Sequence, residues 1–161
     1  MATQFLPDAN GSTKRPDVLT VLGILTFINA GLFILIYGIG ALGMLQVQQM
    51  PLEDFEAIFQ QGAMQYMSAE DIELLENFIP ILYNSGAALM LIYLGRTVLR
   101  LLGGIGIWRG KKTGFYLYAA AQLLGIFAPH LILPWELLGV MGPIMTVAVT
   151  AVYGSQLKRL A

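Results

Sequence analysis

The sequence predicts an all-α membrane protein: a four-helix transmembrane bundle with short amphipathic outer helices between its first and second spans. Three observations carry that expectation. The 161 residues are 57% hydrophobic and only 12% charged, where a soluble domain averages about a quarter charged. Long apolar runs approach or exceed the roughly 20 residues that a helix needs to cross hydrocarbon. The basic residues are segregated: Arg96, Arg100, Arg109, Lys111 and Lys112 make five of the nine, and the apolar runs on either side of them contain none.

Residues 1–17 are polar, with Pro, Gly, Asn and Ser, and are expected to form a flexible cytoplasmic tail. A signal peptide is the rival reading, because Lys14 and Arg15 precede an apolar run. That run, residues 18–45, far exceeds the roughly 7–15 residues of a signal core, so it is expected to be a retained first span. Its length implies tilt or protruding ends. Gly38, Gly40 and Gly43 are expected to loosen its outer end. Asn29 is its main polar residue, one turn from Thr26, and is expected to bond across to another helix or to a backbone carbonyl.

Residues 46–79 hold seven acids (Glu53, Asp54, Glu56, Glu70, Asp71, Glu73, Glu76) and no Lys or Arg. Two short helices fit. Pro51 suits a first helical position, Glu53 and Asp54 suit a helix N-terminus, and Leu52, Phe55, Ile58 and Phe59 mark an apolar stripe. Ser68 and Asp71 give a second start, with Ile72, Leu75, Phe78 and Ile79 repeating the stripe. A solvated acidic face is the plain reading of these carboxylates, since their spacing lacks the alternation of a calcium loop.

The second span is expected over residues 80–108. It either stops near Leu102, broken by Gly103 and Gly104, or runs on to Trp108. The second ending is preferred, because Ile105, Ile107 and Trp108 are too apolar for an exposed loop. Residues 109–113 then form a basic turn. The third span covers 114–132, ended or kinked by Pro129, and the fourth covers 137–155, with His130 and Glu136 in the turn between them. Gly142, Thr146, Thr150 and Gly154 recur every four residues as a small-residue packing ridge, within the bundle or between copies.

Orientation follows from the cations. Lys14 and Arg15, the central cluster, and Lys158 and Arg159 flank alternate span ends, and the other two connections hold no Lys or Arg. Cytoplasmic flanks carry that excess, so both termini and the central turn are expected in the cytoplasm.

Few functional groups remain. The chain has no Cys, which removes disulfides, thiol redox chemistry and Cys-ligated metal sites. It has one His, and His130 with Glu136 is at most half a zinc site or a proton relay. No nucleophile elbow, P-loop, metalloprotease helix or dinucleotide fingerprint is present, and no basic aromatic surface suited to nucleic acid. An enzyme, a metal and a cofactor are therefore not expected.

Arg96 and Arg100 are the sharpest feature. They share a helix face with Ser85, and an Arg at mid-membrane costs about 2.5–3.5 kcal/mol on insertion scales, so each needs a partner or water. The spans offer only neutral partners, chiefly Asn29, Asn84, Ser85 and Gln122. One hypothesis is a polar cavity in which Arg96, Arg100 and Ser85 bind an anion, such as a lipid phosphate. The simpler account, preferred on the sequence alone, ends the second span early and lets both arginines reach the headgroups.

The segment LLGGIGIWRGKKTGFYLYAAAQLLGIF, residues 101–127, resembles the middle of small uncharacterised bacterial inner-membrane proteins with four transmembrane helices. The resemblance implies a multi-pass protein of the cytoplasmic membrane and brings no catalytic residues. The expected function is a non-catalytic accessory or assembly subunit, in contact with membrane lipids, including anionic ones, and with itself or a membrane-protein partner. The alternative is a small oligomeric channel or transporter with a polar path of Asn29, Arg96, Arg100 and Gln122.

Overall fold

The computed structural model describes the backbone of residues 5–63, 69–137 and 139–161, and their side chains except 59, 60, 62, 63, 69–75 and 136. Among these residues the chain is all-helical: α1 Asp17–Val47, α2 Leu52–Ala63, α3 Ala69–Trp108, α4 Lys112–Phe127 and α5 Met141–Ser155, with short 3-10 turns between α4 and α5 and after α5. Two helices are long and apolar enough to cross a membrane, α1 and the Glu76–Trp108 part of α3.

α3 lies between α1 and α4 and packs along both. Glycines set the closeness of the α3–α4 pair: a β-carbon on Gly106 would lie 2.6 Å from Cα of Gly114, and one on Gly103 2.7 Å from Cα of Tyr118. The backbones therefore touch, as small residues allow in apolar helix pairs. On the other side, the Trp108 ring lies against Gly23 and meets Phe27 edge-on at 5.3 Å between centroids.

α3 runs to Trp108, past the stop near Leu102 on which the headgroup account of Arg96 and Arg100 rests, and Gly110, at φ 78°, makes the tight turn into α4. Several other expectations need correction. The second acidic helix is not separate, because α3 is one helix from Ala69 through Pro80. Proline removes a helix hydrogen bond, but here neighbours hold the turn around it. The Tyr83 hydroxyl donates to the Met50 carbonyl at 2.7 Å, Gln48 Nε2 donates to the carbonyls of Tyr83 and Asn84, and Phe55 of α2 packs on Ile79 and Leu82. The proposed start at Ser68, and the side chains of Phe59, Glu70, Asp71, Ile72, Glu73 and Leu75, lie outside the described residues. Nor do the glycines loosen α1, which continues through Gly38, Gly40 and Gly43 to Val47.

α4 and α5 are shorter than expected. They have 16 and 15 residues, about 24 and 22 Å at 1.5 Å per residue, against a core of about 30 Å. Pro129 ends α4 in a 3-10 turn over Ala128–Leu131, and α5 begins only at Met141.

The greatest departure is at the start of the chain. Residues 5–16 are not a loose tail. Phe5 is buried with Leu19, Ile107, Tyr118, Tyr153 and Leu160. Leu6 N–H donates to the Arg159 carbonyl, and the Arg159 guanidinium meets Asp8 at 3.0 Å and the carbonyls of Ser12 and Lys14. Arg15 stacks on Trp108 at 3.6 Å from the ring centre and donates to its carbonyl. Ala161 pairs with Gly110 and Lys112 through backbone bonds. Both terminal segments and the 109–112 turn thus share one end of the helices, and bring Lys14, Arg15, Arg109, Lys111, Lys112, Lys158 and Arg159 together there.

Candidate functional site

Arg96 and Arg100 sit one turn apart on α3, 12 and 8 residues before Trp108, so about 18 and 12 Å along the axis from that end. Each is met by a neutral acceptor on a neighbouring helix. Arg96 donates from an Nη to Gln122 Oε1 of α4 at 2.9 Å, and Arg100 to Asn29 Oδ1 of α1. Gln122 is buried and its Nε2 donates to the Tyr118 hydroxyl at 3.2 Å. The Nε atoms of both arginines are buried with no hydrogen-bond partner.

This arrangement follows from helix periodicity. Tyr118, Gln122 and Gly125 fall at i, i+4 and i+7 of α4 and so share the face toward α3. Gly125 leaves room there for the Arg96 side chain, which a β-carbon would displace. That spacing was the signal that sequence reasoning missed, together with Tyr118 and Tyr153, whose rings are 4.7 Å apart and nearly wholly buried. Thr26 Oγ1 and the Tyr153 hydroxyl are 2.9 Å apart, tying α1 to α5.

Two clefts flank the arginine pair. One, of about 360 Å³, has Arg100, Asn29, Gln122 and Tyr118 on its floor and Leu25 and Met145 among its walls. The other, of about 590 Å³, holds Arg96, Tyr93, Gly125 and His130 and is bounded by Gly142 and Ile144 of α5. Thr146 borders both.

Of the sequence-nominated residues, Asn29, Arg96, Arg100 and Gln122 come together. Ser85 does not. It is on the same stripe but 11 residues from Arg96, about 16 Å along the helix, so it is withdrawn from the anion-binding set. Asn84 is likewise remote, exposed near the far end of α1, where its Nδ2 donates to the Pro80 carbonyl at 2.8 Å. The ridge residues Thr146, Thr150 and Gly154 face an apolar groove of about 370 Å³ between α4 and α5, and Thr150 Oγ1 donates to the Thr146 carbonyl. His130 stacks on Trp135 at 3.3 Å between ring centres, with Nδ1 3.3 Å from the Leu133 carbonyl oxygen. Among the described residues no three His, Cys, Asp or Glu converge as metal ligands.

Comparison of the chain with family models, with curated proteins and with solved structures finds no match.

Proposed function

We propose that this chain is a non-catalytic, four-span protein of the bacterial inner membrane, with both termini cytoplasmic, that serves as an accessory or assembly subunit and holds an anion on Arg96 and Arg100. One observation carries the anion: two guanidinium groups lie 12 and 8 residues inside the Trp108 end of α3 with only neutral acceptors, and their Nε donors are buried and unpaired. A cation within a membrane without a counter-charge is costly, and an oxyanion supplies both the charge and the missing acceptors. The shared basic end supports the orientation, since cationic flanks stay cytoplasmic. The short α4 and α5 cross by thinning the bilayer beside them.

The experiment is thermal unfolding of the purified protein in zwitterionic detergent, with inorganic phosphate or dodecyl phosphate added. At least one is expected to raise the midpoint in the wild type, as binding to the folded state must, and neither in Arg96→Gln/Arg100→Gln. No shift in the wild type with either would contradict anion binding.

A channel or transporter is the second reading, favoured by the meeting of the two clefts at Thr146. Anion flux into protein-bearing vesicles, lost in the same double variant, would select it; flux equal to that of empty vesicles selects the accessory reading.

A further inference from the structure

Three structural features bear on which anion the arginines take. The first is that the cleft is closed toward the basic end. Tyr118 and Tyr153 meet there at a tilt, Thr26 bonds to Tyr153, and Phe5, Leu19, Ile107 and Leu160 fill the space around that layer. Among the described residues that layer is apolar except for these hydroxyls, which disfavours entry of an ion from the basic end.

The second is a gap at the side. α5 packs chiefly on α4, and it reaches α1 near the basic end, where Thr26 bonds to Tyr153 and Leu19 shares its cluster. Beside that bond, α1 and α5 both line the Arg100 cleft. The walls there are Leu22 and Leu25 on one side and Met145 and Val149 on the other. Leu25 and Met145 are each 58% exposed, so the lips of this opening face the hydrocarbon.

The third is continuity with an oily groove. Gln122 and Thr146 border both the Arg100 cleft and the apolar groove between α4 and α5, where Phe115, Leu123, Ile126, Val147 and Ala151 leave almost no polar surface. A cationic floor, apolar lips and an adjoining apolar groove match an amphiphile whose head is an oxyanion and whose tail is hydrocarbon.

Building on the anion reading above, we infer that the ligand is the phosphate of an anionic membrane lipid, admitted sideways between α1 and α5. Its phosphate oxygens take the Nη donors that Arg100 presents to this cleft, and a chain lies against α5. The short α4 and α5 favour this route. A bilayer thinned beside them brings headgroups toward Arg100, which lies about 12 Å below the level of Trp108. A free phosphate would share the guanidinium chemistry but would gain nothing from the lips or the groove.

The test uses the full chain in nanodiscs of equal parts phosphatidylglycerol and phosphatidylcholine. Release into gentle detergent is followed by native mass spectrometry of retained lipid. The wild type is expected to retain phosphatidylglycerol over phosphatidylcholine by about tenfold, the scale of one charge-assisted hydrogen bond. Arg100→Gln is expected to lose that preference and Arg100→Lys to keep part of it. Leu25→Trp/Met145→Trp, which fills the opening at two exposed positions, is expected to lose retained lipid while inorganic phosphate still shifts the unfolding midpoint to whatever extent it does in the wild type. A wild type that retains both lipids equally but is stabilised by inorganic phosphate would overturn the lipid assignment and leave anion binding standing. Equal retention with no stabilisation by inorganic phosphate or dodecyl phosphate would overturn both. Full retention in the portal variant would overturn the sideways route.

Discussion

Arg96 crosses α4 at Gly125, pressed so closely to its Cα that the side chain occupies the place of a β-carbon. That contact sets the guanidinium within reach of Gln122, and so couples one glycine to the chemistry of the cleft.

Gly125→Ala is therefore expected to displace Arg96 from Gln122 and to abolish its share of anion-dependent stabilisation, as Arg96→Gln does. Gly31→Ala, where a β-carbon meets nothing within 4 Å, is the control and is expected to leave that stabilisation unchanged. Unfolding midpoints with and without dodecyl phosphate make the comparison.

The α3–α4 seam makes a second expectation. At Gly114 an added β-carbon would lie 2.6 Å from Cα of Gly106, with backbone rather than a pliable side chain in the way. Gly114→Ala is expected to destabilise by about 1–3 kcal/mol, the usual range for overpacking, read from thermal or denaturant unfolding in detergent. Gly43→Ala, in open space, is expected to shift stability by well under about 1 kcal/mol.

Much of this was legible from residue chemistry alone. The apolar runs, the run of α3 to Trp108, the stop at Pro129 and the partners Asn29 and Gln122 follow from hydropathy, interface preference and helix periodicity. What escaped was non-local. A helical stripe places Ser85 with Arg96 in angle but not in height, since the rise separates them by about 16 Å. The polar start of the chain reads as loose because nothing nearby binds it; its partner is Arg159, bonded to Asp8 from the far end of the sequence. The sequence starts the second span near Pro80, whereas α3 runs through that residue from Ala69. The clamps that carry α3 through it, Gln48 and Tyr83, come from contacts between segments.

Acid is expected to undo the Asp8–Arg159 closure. The backbone N–H groups of Ser12 and Asn10, with help from Arg159, hold the Asp8 carboxyl below its ordinary value of 3.8. A lowered folded value means that the contribution is complete above the ordinary carboxylate range and fades as pH falls through the lowered one. A spin label on Leu6→Cys, in a chain with no other Cys, is expected to be immobile near neutral pH and to gain mobility only in strong acid. With Asp8→Asn added, it is expected to be mobile already near neutral pH and to change little with acid. Equal mobility in the two proteins would show that Phe5 alone holds the segment.

The Thr26–Tyr153 bond is the principal polar tie between α1 and α5. Tyr153→Phe is expected to cost about 0.6 kcal/mol, the average for interhelical hydrogen bonds in a membrane protein, and to increase lipid exchange as the opening between α1 and α5 loosens. Unchanged stability and exchange would assign α5 to α4 alone.

The crossing pattern is tested most directly by single cysteines at Ile58, Pro134 and Lys111 in the otherwise Cys-free chain, labelled in intact spheroplasts with a membrane-impermeant maleimide. Labelling at 58 and 134, with 111 reached only after the membrane is opened, is the expected result. Labelling at 111 from outside would invert the orientation, and labelling at 58 without 134 would show that α4 and α5 do not cross.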